Sequence, residues 1–73
     1  MAPCLFVSFH VTADAMATKL ACERDGLDGK LVPVPRSMSA GCGMAWRCQV
    51  KNEERIRFLL EKEKIDWEKI QVI

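Results

Sequence analysis

The chain opens on strict alternation. In Cys4-Leu5-Phe6-Val7-Ser8-Phe9-His10, Leu5, Val7 and Phe9 share one face while Cys4, Phe6, Ser8 and His10 share the other, which predicts a strand over residues 4–10. Thr12 suits a helix N-cap, and Asp14 lies in the first turn, where negative charge complements the dipole. Met16, Ala17, Leu20 and Ala21 form an i, i+1, i+4, i+5 stripe that predicts the buried face of a helix running to about Arg24. Gly26 supplies the stop. Cys22 lies just off the stripe and reads as a partly buried small residue.

Lys30-Leu-Val-Pro-Val34 predicts a second strand, and Pro33, which cannot donate to a ladder, puts it at a sheet edge. A loop follows from about Arg36 to Gly41. A third strand is expected over Met44 to Val50, with Met44, Trp46, Cys48 and Val50 on the core face. Asn52 is placed to cap a second helix whose first turn holds Glu53 and Glu54. Ile56, Leu59 and Leu60 form its buried stripe, and Phe58 falls off it. Trp67 to Ile73, with Ile70 and Val72 alternating, reads as a short last strand.

The order βαββαβ implies a ferredoxin-like α+β sandwich: a four-stranded antiparallel sheet of order 4-1-3-2 with two helices on one face. In that topology the second strand is an edge, as Pro33 independently requires. The end of the first strand, the start of the first helix and the loop between strands two and three meet at one end of the sheet. His10, Thr12 to Asp14, Arg36 and Cys42 should cluster there. Cys4 and Cys48 should lie near the opposite end and face opposite sides of the sheet, which disfavours a disulfide between them.

Composition narrows the class. At 73 residues there is room for one domain, spanning 1–73, with one modest core. A hydrophobic share of 49% with 29% charged residues is globular rather than disordered. The net charge of +1, with basic residues scattered among acids, argues against a nucleic-acid partner. No apolar run reaches the roughly 20 residues that span a bilayer. No signal-peptide pattern opens the chain, so the expectation is a cytoplasmic protein with no membrane partner. Cys4, Cys22, Cys42 and Cys48 include no Cys-x-x-Cys and have no histidine pair beside them, so reduced thiols are expected and neither a metal nor a cofactor.

The chemistry gathers around Cys42. It stands between Gly41 and Gly43, which remove steric bulk and leave backbone N–H groups free to face an anion. A thiol reacts as its thiolate, and a helix N-terminus or a cation such as Arg36 favours that form. Arg47 falls on the other face of its strand. His10 offers a base, or simply a polar end to its strand. Ser37 and Ser39 read as loop residues that bond locally. Trp46 reads as core. Met38 either folds back over the sheet edge or stands out as a contact. Gly-Cys-Gly is also what a tight turn around a small buried residue looks like.

Two blocks carry a resemblance. The first is Phe9-His10-x-Thr12-x-Asp14-Ala15-Met16. The second and more specific is Leu31-Val32-Pro33-Val34-Pro35-Arg36 with Ser39-x-x-Cys42-Gly43-Met44-Ala45-Trp46-Arg47. From Leu5 to about Val50 the chain resembles a small bacterial family of selenium/sulfur (Se/S) carrier-like domains. The resemblance implies that Cys42 carries sulfur or selenium as a persulfide or selenyl-sulfide. It also implies two partners, a donor enzyme such as a cysteine desulfurase and an acceptor protein. Gly41 and Cys48 depart from the family's usual pattern, and Gly41 is expected to loosen the loop.

Three readings stay open. The first is a group carrier rather than a turnover enzyme, built on Cys42 with Gly41, Gly43, Arg36 and His10 around it. The second is a metal chaperone on the same kind of fold, with His10 as a nitrogen ligand. The third is an interaction module in which Cys42 merely fills a turn. Phe58 and the edge strand leave room for a homodimer.

Overall fold

The computed structural model describes residues 3–38 and 41–73. Along the chain the elements are β1 (Cys4–Ser8), α1 (Thr12–Arg24), β2 (Lys30–Pro33), β3 (Met44–Gln49), a 3-10 turn (Val50–Asn52), α2 (Glu53–Lys62) and β4 (Lys69–Val72). The strands form one antiparallel sheet in the order β2-β3-β1-β4, and both helices pack on one face of it. This is the ferredoxin-like sandwich expected from the pattern, with Pro33 on the edge strand.

β1 is paired along both sides. Leu5 and Val7 face Cys48 and Trp46 across one side and Val72 and Ile70 across the other. That register puts the apolar sets of three strands on the helix side. There Leu5, Val7, Phe9, Trp46, Ile56 and Leu60 are buried in one cluster. The opposite face is also covered at its middle. Ser8 and Ala45 are partners in register and fully buried. Met38, in the loop after β2, is 4% exposed and, like Ala45, stands outside the helix-side cluster. Met38 is therefore turned inward and does not stand out as a contact.

The buried face of α1 differs from the predicted stripe. Ala15, Thr18, Ala21 and Cys22 face inward, whereas Met16 is 43% and Leu20 61% exposed. Size accounts for the rotation. The sheet supplies the bulk through Trp46, Phe9 and Leu5, so a helix face of small residues can approach it closely. Thr18 tolerates full burial because its hydroxyl donates to the Asp14 carbonyl at 2.9 Å. Cys22, expected to be partly buried, has no exposure at all. Boundaries shift as well. β1 ends at Ser8, Val50 belongs to the 3-10 turn, and β4 is shorter than Trp67–Ile73. Val11, in extended conformation, takes the N-cap position in place of Thr12, and neither it nor Asn52 supplies a side-chain cap bond.

Both helices end in the same backbone motif. After α1, Leu27 N–H reaches the Cys22 carbonyl at 2.8 Å and Gly26 N–H reaches Glu23 at 3.4 Å, with Gly26 at φ 71°. After α2, Ile65 N–H reaches Leu60 at 2.9 Å and Lys64 N–H reaches Glu61 at 3.1 Å, with Lys64 at φ 55°. These are Schellman caps, and the second places a lysine where glycine is at ease. A side chain in that region costs about 1–2 kcal/mol. Lys64→Gly is therefore expected to stabilise the protein by roughly 0.5–1 kcal/mol after the unfolded-state cost of glycine. Urea melts read that change directly. The same measurement on α1 and α2 should show Ile56→Ala losing about 2–5 kcal/mol and Leu20→Ala staying within about 0.5 kcal/mol.

Candidate functional site

Two glycines build the loop that presents Cys42, each for a different reason. Gly43 has φ 75°, a left-handed conformation that glycine adopts without strain, and a Cβ there would meet open space. Its carbonyl accepts from Val34 N–H at 3.0 Å, which extends the β2–β3 pairing beyond Pro33. Gly41 has no conformational need of that kind. A Cβ on it would lie 2.5 Å from the His10 carbonyl oxygen, so only glycine lets the loop seat against the end of β1. The expectation that Gly41 loosens the loop is corrected here: its missing side chain makes a tight backbone contact.

That contact brings the loop to the end of the sheet where α1 begins. Cys42 is partly buried and packs against the helix-side cluster, as the pleat of β3 extended backwards implies. Its thiol donates to the Met44 carbonyl at 3.4 Å, on the chain just ahead. His10 joins the cluster through its backbone. Its imidazole is exposed, with Nδ1 3.5 Å from the Glu68 carboxylate. Glu68 went unnoticed in the sequence, and the signal for it is topological: β4 runs beside β1, and Glu68 N–H bonds the Ser8 carbonyl at 2.7 Å. Arg36 sits in an exposed turn closed by Met38 N–H on the Pro35 carbonyl at 3.0 Å, and it forms no ion pair among the described residues. Ser39 lies outside the described residues.

The other thiols lie elsewhere. Cys48 is buried opposite Leu5, while Cys4, one residue back along β1, points to the other face. All four cysteines are free. Burial, then the neighbouring Cys48, pushes the Cys22 thiol from its ordinary 9.0 up to about 12. Burial, then the neighbouring Cys4, pushes Cys48 up to about 11. Among the described residues no group of three His, Cys, Asp or Glu side chains is placed to hold a metal ion. No described helix is long and apolar enough to cross a membrane.

Fold and loop together define a small ferredoxin-like domain that displays one cysteine on a glycine-built turn at a sheet end. The chain belongs to the family described as "Putative Se/S carrier protein-like", whose model matches residues 4–71. Neither a curated protein nor a solved structure matches it.

Two expectations follow. Gly41→Ala should be the more damaging glycine substitution, because backbone must move to admit its methyl group. Gly43→Ala should cost only about 1–2 kcal/mol of conformational strain. Comparative denaturation, with Cys42 alkylation rates alongside, distinguishes the two. The buried thiols also set a pH dependence. Their folded pKa values stand above the unfolded one, so their contribution is complete below about pH 9 and is lost as pH rises toward about 11 and 12. Denaturant midpoints should fall through that alkaline window, and the fall should be shallower in Cys22→Ala.

Proposed function

We propose that Cys42 accepts a sulfur or selenium atom from a donor enzyme and passes it to an acceptor protein. The observation that carries this reading is a partly exposed thiol on a turn that two glycines strip of side chains, in a chain that belongs to the Se/S carrier-like family. In the loading step the Cys42 sulfur attacks the outer sulfur of a persulfide on the donor. A new S–S bond forms to Cys42 and the donor's S–S bond breaks. The donor sulfur leaves as a thiolate and takes up the proton that Cys42 gave up. Delivery repeats the exchange, with the acceptor's nucleophile attacking the outer sulfur and Cys42 leaving as thiol. Selenium follows the same electron balance.

Within this scheme Gly41 and Gly43 admit a partner's active site, and His10 and Arg36 border the approach. Loading costs the thiol its hydrogen bond to Met44, since the persulfide's inner sulfur has no proton to donate. The chemistry belongs in the cytoplasm, where thiols stay reduced. The protein is a carrier consumed and restored stoichiometrically, not a turnover enzyme.

Incubation with a cysteine desulfurase and free cysteine, followed by intact-mass measurement, tests the reading. One added sulfur atom is expected in the wild type and in Cys4→Ser, and none in Cys42→Ser. Persulfide that persists in Cys42→Ser would overturn it.

A further inference from the structure

The face of the sheet away from the helices carries a depression at the end opposite Cys42. It is a cavity of about 420 Å3, within the range of small-molecule sites. Lys30, Arg47, Cys4, Cys48 and Asp28 are among the residues that line it. Lys30 and Arg47 are direct partners across β2 and β3. Like charges placed directly opposite each other repel, so an anion lying between them would relieve the pair. Neither cation forms an ion pair among the described residues, and Asp28 joins neither of them. A half-buried thiol, Cys4, is therefore set beside two cations that outnumber the one carboxylate of the depression and are paired with none among the described residues.

We propose that this depression binds a small anionic thiol compound or its disulfide, with the anionic end held by Lys30 and Arg47 and the sulfur brought to Cys4. The site is separate from the carrier loop and does not depend on it. With a disulfide the chemistry is simple exchange. The Cys4 thiolate attacks one sulfur, a Cys4–sulfur bond forms, and the ligand's S–S bond breaks. The other half leaves as a thiolate that takes up the released proton, with no net oxidation. Cys48 also borders the depression, but its side chain is buried on the helix side of the sheet and burial holds it as a thiol, so it neither competes for the disulfide nor resolves the mixed disulfide on Cys4.

Three disulfides of different charge test the site: oxidised glutathione (anionic), bis(2-hydroxyethyl) disulfide (neutral) and cystamine (cationic). Modification at Cys4 is followed by peptide mapping in a Cys42→Ser background, and each rate is divided by that of the same reagent on the denatured chain. Folding should favour the anionic reagent over the neutral one by on the order of tenfold and disfavour the cationic one. The preference should shrink as salt rises, and Lys30→Gln with Arg47→Gln should abolish it. Equal normalised rates for all three reagents, or a preference that survives the double substitution, would overturn the proposal. Because the readout is Cys4, its failure leaves the Cys42 reading standing, and the reverse holds for sulfur loading.

Discussion

The pairing of β1 on both sides decides where everything else lies. Five residues, Cys4 to Ser8, partner β3 on one side, and four of them, from Leu5, partner β4 on the other. A strand held on both sides cannot slip by one residue without turning Leu5 and Val7 away from the helices, so its register is strongly fixed. Once it is fixed, Trp46 and Cys48 must face the helices, and Arg47 must face away. The loop before β3 is then delivered to the end of β1, where Gly41 meets the His10 carbonyl. The position of Cys42 is thus a consequence of strand pairing several residues away.

Close approach is the recurring device, and it works by leaving side chains out. Gly29 lies against the indole of Trp46, where a Cβ would run into the ring. Ala15, Thr18 and Cys22 do the same for α1 against the sheet. The economy has costs. Trp46 Nε1 is buried with no hydrogen-bond partner, a loss of about 1–3 kcal/mol if nothing else compensates. Met16 and Leu20 are left facing solvent. The surface ion pairs contribute little by comparison. Even the Arg24 link from α1 to Glu63 after α2, at 2.9 Å, joins side chains that remain largely hydrated.

Alternation and proline were enough to read the sheet from the sequence, because both are local. Leu5, Val7 and Phe9 declare a face by themselves, and Pro33 declares an edge by the bond it cannot make. The helix side on which Cys42 falls agrees with the pleat of β3 extended backwards, which is also a local property. The face of α1 was not legible, since a stripe chosen by hydrophobicity favours Met16 and Leu20. The sheet needed small partners, and it could take Thr18 because the helix satisfies that hydroxyl internally. Met38 was undecided because no local pattern in a polar loop tells a buried methionine from an exposed one. Gly41 was misread because a glycine that removes a clash looks, in sequence, the same as one that adds freedom. The pairing of His10 with Glu68 needed β4 to be placed beside β1 before it could be seen.

A carrier thiol has a requirement beyond access, which is isolation from its own kind. A second thiolate within reach would attack the inner sulfur of a persulfide, expel the carried atom and leave an internal disulfide. The fold meets this requirement by distance. Met44 and Cys48 are four residues apart on an extended strand, roughly 13 Å at about 3.3 Å per residue. Cys4 pairs beside Gln49 at that same far end. Cys22 lies ten residues into α1 from Thr12, roughly 15 Å along its axis at about 1.5 Å per residue. Disulfide geometry tolerates no more than about 7 Å between Cα atoms. The fold that holds Cys42 at one end of the sheet therefore keeps the other three thiols out of its reach.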